Sequence, residues 1–339
     1  MKGLWIVGKE GAAKQQHYVP QYYLRGFVNE RKMLYVVDRP QAKFFRVPTI
    51  AAGGEKYFNL LTQSRVNPFA AEEALQELED KVAPALERVK ATQSLADEND
   101  RSAIMNLMAA VTLRNPKQRA AINEMVQGWG QANAAAGLAT KEGYEQMVAA
   151  AKAQGLKIDL SYEEMKTEAA KNPKWFKPPP PPQDFNIWVE AKFHDPLVQR
   201  YEQRKWQVVV ASDDSCGFVT SDHPICLRWC DGKDHGFMSP GFSMLGTEVI
   251  FSLSPKLAVR GRFDGEDNVV QGDKDAVAGI NSLLISNCNN QVYARDALFS
   301  YKRGPKEEVG SGAHLDTDKV FLAGGRDAKD GNVIALKPV

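Results

Sequence analysis

The chain of 339 residues is poor in cysteine, with four in all, and Cys216, Cys226, Cys230 and Cys288 stand in its C-terminal half. So few thiols give no disulfide framework and point to a reducing, cytoplasmic setting. The opening "MKGLWIVGKEG" has only four consecutive apolar residues before Gly8, so no secretory leader is expected. Nowhere does an apolar run approach the roughly 20 residues that span a bilayer, which excludes a membrane-spanning helix. Net charge is nearly absent at +1, and that argues against a surface that wraps nucleic acid through uniform positive potential. A Gly-rich phosphate loop, a nucleophile elbow and an HExxH helix are missing, as is any internal repeat.

What is present is ordinary globular composition, 43% hydrophobic and 25% charged, with charge unevenly spread. Met1 to Arg65 carries eleven Lys and Arg against four Asp and Glu, whereas Val66 to Ala110 carries four against nine. A basic part beside an acidic helical part can hold an anion, or the two can attract each other.

The chain reads as an α+β fold with an N-terminal β-hairpin, a central helical region and a C-terminal, largely antiparallel sheet with a late helix. "MLYVVDRPQAKFFRVP" gives two strands around Arg39-Pro40-Gln41-Ala42. Asn67-Pro68 offers a cap and a first helical residue, followed by Leu75, Leu78, Val82, Ala85, Leu86 and Val89 at helical spacing, with a kink expected at Pro84. A second helix is expected from about Asp97 to Arg114, an alanine-rich one to about Ala153 and a short one over 161–171. "FNIWVEAKFHDPLVQRYEQR" reads as helix interrupted near Pro196. "WQVVVA", "GFVTSD", "ICLRWC", "EVIFSLS" and "KLAVRGRF" read as successive strands, Asp273 to Asn289 as a helix and "QVYAR" as a last strand. The divisions expected are 1–65, a helical region 66–176, a Pro-rich linker 177–183, a sheet region 184–303 that packs back on the N-terminal part, and a peripheral tail 304–339.

The stretch "KQQHYVPQYYLRGF" gathers Gln16, His17 and Arg25 among aromatics. Pro20 pushes Val19 to extended backbone, which fixes how His17 leaves the chain. A fixed histidine can serve as general base, metal ligand or satisfied core residue. Arg25 between apolar neighbours needs an anionic partner, either a protein carboxylate or a phosphate. Arg114 lies on the same helical face as Leu107 and Val111, so its charge points inward. Glu72 and Glu79 border an apolar stripe two turns apart, about 10 Å along the axis, too far to clasp one metal ion together. Asp222 in "VTSDHPI" can make a turn or supply a catalytic carboxylate from a strand end. His223, Cys226, Cys230 and His235 have the donor types for zinc, but "ICLRWC" as a strand gives no knuckle between the cysteines.

"QHYVPQYYLRGF", the acidic helix "EEALQELED", "LRNPKQR", "FVTSDHPI" and "SLSPKL", in that order, resemble the pattern of the bacterial domain-of-unknown-function 4238 family, over most of Gln16 to Arg295. One departure is Ser-Asp-His-Pro where the pattern has Ser-Asp-Asn-Pro. The resemblance carries no reaction, but it groups His17, Arg25, Glu72, Arg114 and Asp222.

These residues suggest a hydrolase acting on a phosphate-bearing substrate, a phosphodiesterase or nuclease in a bacterial defence or toxin context. Nucleic acid or a nucleotide would be its partner, and no membrane. Gln16, Arg25 and Arg114 would bind substrate, with His17, Glu72, Glu79 and Asp222 as catalytic groups. A divalent cation, Mg²⁺ or Mn²⁺, would be the cofactor. The competing expectation is a non-catalytic ligand- or protein-binding module in which the same groups form a closed polar network.

Overall fold

The computed structural model describes residues 15–153, 155, 157–171, 178–233, 235–303 and 308–323. The chain is α+β, and it divides into two compact units: one runs to Lys117 and resumes at Ile187, the other is Gln118–Asn186.

In the first unit, β1 (Gln15–His17) leads through Pro20 into the one-turn helix α1 (Gln21–Leu24) and a tighter turn over Arg25–Phe27. The expected hairpin follows as β2 (Leu34–Asp38) and β3 (Lys43–Val47). Next, β4 (Gly54–Lys56) returns antiparallel to β1, pairing Gly54 with His17. Helix α2 (Ala70–Thr92) begins later than Asn67-Pro68 suggested. Asn67 makes a turn instead, its Oδ1 accepting the Phe69 N–H and its Nδ2 donating to Glu73. Pro84 is held inside α2 without ending it. Helix α3 (Glu98–Leu113) starts at Asp97, whose side chain accepts the Asp100 N–H, and Arg114 closes it.

The second unit contains most of α4 (Pro116–Leu138), with α5 (Lys141–Ala153) and α6 (Tyr162–Lys171). The alanine-rich helix is thus divided, because Thr140 Oγ1 accepts the Gly143 N–H and starts a new helix. Leu138, Tyr144 and Met165 form its small core. The described prolines, Pro178–Pro182, lie outside helix and strand; Trp175, Phe176 and Lys177, assigned from sequence to the helical region and the linker, fall outside the described residues.

Helix α7 (Gln183–Glu202) runs through Pro196 unbroken, contrary to the expected interruption. Strands β5 (Lys205–Ala211), β6 (Thr220–Ser221), β7 (Cys226–Trp229), β8 (Thr247–Ser254), β9 (Leu257–Arg262) and β10 (Asn268–Gly272) follow. They do not form one successive sheet. A five-stranded sheet has the order β10-β5-β9-β8-β7, with β10 parallel to β5 and the other pairs antiparallel. β6 shrinks to two residues and joins β3-β2-β11-β6, where β11 is Gln291–Ala294. Between the two sheets' strands runs α8 (Lys274–Asn287), capped by Asp273.

β10 went unread because "NVVQG" is short and mostly exposed. "QVYAR" is not the last strand: β12 (Ser300–Arg303) and β13 (Glu308–Ser311) pair beyond it, and α9 (Lys319–Leu322) follows. Within the stretch read as a peripheral tail, Leu315 and Phe321 are buried beside Tyr35 and Val37.

The main core joins Val19, Tyr23, Leu24 and Phe27 to the inner faces of α2, α3 and the five-stranded sheet. Tyr23 stacks on Phe251 at 5.0 Å, and its hydroxyl meets Thr220 Oγ1 at 2.6 Å and the Ser252 carbonyl at 2.7 Å. Burying an aromatic ring of this kind stabilises by about 2–3 kcal/mol, so the N-terminal segment is bolted to the sheet.

Candidate functional site

The N-terminal segment has two faces. Val19, Tyr23, Leu24 and Phe27 enter the core, His17, Gln21 and Arg25 turn to the other side, and Tyr22 packs against the core while lining that side as well. His17, Gln21 and Arg25 recur at four-residue intervals, which one extended step followed by a helical turn aligns. They form one wall of an open hollow of about 540 Å³. Opposite lies the acidic face of α2, with Glu72, Gln76, Glu79 and Asp80 at helical spacing, while Val82, Ala85, Leu86 and Val89 turn into the core. Arg114, at the end of α3, completes it.

Five predicted site residues from three separate segments therefore meet: His17, Arg25, Glu72, Glu79 and Arg114. Gln16 and Asp222 do not line this hollow. Gln16 is buried and its Oε1 accepts the Asn59 N–H at 2.7 Å, so it fixes the neighbouring loop. Asp222 is buried under a turn, where Oδ1 accepts the Asn289 N–H at 2.8 Å and Oδ2 those of Asn290 and Gln291 at 2.7 and 3.0 Å. Burial pushes its pKa up to about 6, against the pull of those three donors. Asp222 thus holds a distant stretch of backbone, and the bond to the following backbone comes from Ser221, whose Oγ accepts the His223 N–H at 3.2 Å.

Asp222 nonetheless touches the wall indirectly. Its carbonyl accepts Asn115 Nδ2 at 2.7 Å, and Asn115 Oδ1 accepts the Lys117 N–H, which sets the path of the chain just after Arg114. Arg114 Nη2 then donates to the His17 carbonyl at 2.6 Å.

The state of His17 follows from its partners. The Ile50 carbonyl can only accept, so Nε2, 3.2 Å away, carries the hydrogen. Nδ1 is left as an acceptor, facing Gln21 Nε2 at a long 3.4 Å. Burial lowers the His17 pKa below its ordinary 6.5, with the Arg114 cation adding to that while the Ile50 bond and Glu72 oppose it. Glu79 moves the other way: burial raises it above 4.5, with Glu72 adding to that and Arg114 and Arg25 opposing it. Glu72 accepts Asn59 Nδ2 at 2.6 Å. Burial also raises the Tyr22 phenol, helped by Glu79. An imidazole with a lowered pKa and a carboxyl with a raised one thus share a hollow with two guanidinium groups.

Sequence reasoning missed Gly53 and Gly54. Gly53 has φ +61°, and its carbonyl accepts both the Tyr18 and Val19 N–H groups, at 2.9 and 3.0 Å. A Cβ on Gly54 would stand 2.9 Å from the Gln16 carbonyl and 3.1 Å from the His17 ring, so glycine lets β4 seat the histidine. The double glycine in "AAGGEK" was the available signal. Gln21 and Tyr22 were in the quoted stretch without a role.

Among the described residues, no three His, Cys, Asp or Glu side chains are grouped to hold a metal ion. Of the residues with zinc-donor chemistry, His223 Nδ1 faces the Asn287 carbonyl, His235 pairs with Asp231, and burial drives the Cys226 thiol up to about 12.

The family model described as "protein of unknown function (DUF4238)" matches residues 15–297. The chain belongs to the DUF4238 family. No curated protein and no solved structure matches it. The DUF4238 match spans β1 to just beyond β11, and so includes all residues of the hollow. Among the described residues, no helix is long and apolar enough to cross a membrane.

Proposed function

We propose that this DUF4238 protein is a hydrolase that cleaves a phosphate ester by general acid–base chemistry in the hollow between α1 and α2. The observation that carries this reading is the opposed displacement of His17 and Glu79 within one open cavity that also holds Arg25 and Arg114. An open polar hollow speaks for ligand binding over a closed scaffold network, and its volume lies in the range of small-ligand pockets.

In the proposed reaction, Arg25 and Arg114 attract the phosphodiester. His17 Nδ1, released from its long Gln21 contact, takes a proton from water as the water oxygen bonds to phosphorus. The P–O bond to the leaving alcohol breaks, and Glu79 gives that oxygen a proton. Glu72 keeps the imidazole oriented electrostatically. A nucleotide or a single nucleic-acid strand end supplies such a phosphate, which makes a nuclease or phosphodiesterase the narrower reading.

The test is incubation of the purified protein with RNA, DNA and nucleotides, with and without Mg²⁺ or Mn²⁺, beside His17→Ala. Cleavage by the wild type that disappears in a folded His17→Ala protein supports the reading. No turnover of any of these substrates, with the substrates still bound, would leave the non-catalytic binding module in its place.

A further inference from the structure

The five-stranded sheet has a second, polar face. Its inner face carries Leu227, Val249, Phe251, Val259, Trp206 and Val208 into the core. Because side chains alternate, register puts Arg228, Glu248, Arg262 and Lys205 in one row across β7, β8, β9 and β5 on the other face. The next row holds Ile250, Arg260, Gln207 and Asn268. Beyond it lie Val209 and Val270, facing Ile280 and Leu283 of α8. Together they line a hollow of about 680 Å³, apolar at the α8 end and cationic at the other.

Glu248 is the centre of the cationic end. It is 1% exposed, and three guanidinium groups converge on it. Arg260 Nε and Arg262 Nε reach Oε2 at 2.6 and 2.8 Å, and Arg228 Nε stands 2.8 Å from Oε1. Three cations on one carboxylate leave a surplus of two positive charges on strands whose arginine side chains are mostly covered. Such a surplus is costly to hold away from water unless an anion or solvent offsets it. Arg260 and Arg262 bond Glu248 through Nε, whereas Arg228 Nε and Arg262 Nη2 are buried with no hydrogen-bond partner among the described residues. Asp264, Glu266 and Asp275 also border the hollow but are exposed, and Asp275 is held by Lys302 at 2.6 Å.

A second feature is independent of charge. Gly279 sits inside α8, where glycine costs about 0.5–1 kcal/mol relative to alanine. Packing does not demand it, since an added Cβ would meet nothing within 4 Å. It faces the apolar end of this hollow and keeps that end open.

From these two features we infer that the polar sheet face is a binding site for a small organic phosphate monoester, its dianion on the Arg228–Arg260–Arg262 group and its apolar body against Val209, Ile250 and Ile280. The dianion of a phosphate monoester matches the surplus of two charges. Gln207 and Asn268 stand between the two ends to bond polar groups of the ligand. The site lies outside the hollow of His17 and does not rest on the hydrolase reading.

Isothermal titration of the full chain with phenyl phosphate and with inorganic phosphate tests this. Phenyl phosphate is expected to bind saturably and at least tenfold more tightly than inorganic phosphate, in the wild type and in Arg25→Gln, whose change weakens only the first hollow. Arg262→Gln, which leaves Glu248 two arginine partners, should lower the affinity tenfold or more. Gly279→Phe should remove binding by filling the apolar end, and Gly279→Ala should retain it. Should Arg262→Gln fail to fold by circular dichroism, Gly279→Phe decides. No saturation by phenyl phosphate, equal affinity for inorganic phosphate, or binding unchanged in Gly279→Phe would each overturn the proposal.

Discussion

Arg114 Nη2 donates to the backbone carbonyl of His17 at 2.6 Å, so a guanidinium at the end of α3 holds the last residue of β1 in place across 97 positions of chain. The charge thus does two things in one geometry: it fixes where the imidazole leaves the strand, and it helps keep that imidazole neutral. Arg114→Lys keeps the charge but loses the planar fork that aims it. We expect kcat to fall at least tenfold with KM changed less, measured on whichever phosphodiester the wild type cleaves. Equal loss in both parameters would leave Arg114 its role in substrate binding and remove the positioning role.

His17→Ala should abolish cleavage while costing about 1 kcal/mol of stability, since one long and one ordinary hydrogen bond are lost from a half-buried ring. Urea denaturation beside the activity assay checks both halves. A variant destabilised by several kcal/mol would make the histidine a packing residue.

The activity should peak at mildly acidic pH. His17 must be unprotonated to accept a proton, and its lowered pKa puts the rising limb below pH 6.5. Glu79 must be protonated to donate one, and its raised pKa puts the falling limb above pH 4.5. Glu79→Gln should remove the falling limb and lower the maximum, as a full pH–rate profile would reveal. A falling limb that survives in Glu79→Gln assigns the acid elsewhere.

Gly53→Ala should destabilise the protein by about 2–4 kcal/mol. The residue has a left-handed backbone, and its new Cβ would lie 2.8 Å from Val19 Cβ, in the segment that aims His17. A shift in the urea midpoint reports it; a neutral outcome would mean that β1 and β4 can slide apart without cost.

Asp222→Ala should cost about 2–4 kcal/mol, because the N–H groups of Asn289, Asn290 and Gln291 lose the buried carboxylate that accepts all three. Activity per folded molecule should change little, in contrast to His17→Ala. Loss of turnover without loss of stability would return Asp222 to the catalytic group.

The elements that pattern alone specified are those with local causes. The hairpin at Arg39-Pro40, the extent of α3 from about Asp97 and the inward charge of Arg114 were all legible, because turn residues and helical spacing act within a few positions. The mix of polar and aromatic residues around His17 was legible for the same reason, but its two faces were not. Pro196 misled, since a helix anchored on a core can carry a proline that an isolated helix would not.

Which residues exist, how they are spaced and which faces they share along each helix were decided by the order of amino acids alone. That His17 meets Glu79, that Asp222 holds a distant stretch of backbone, and that Arg228, Glu248, Arg262 and Lys205 form one row were decided only by the tertiary structure. Strand order and register bring together positions tens to hundreds of residues apart, and they are set by which faces bury together, a property that no short window of sequence contains.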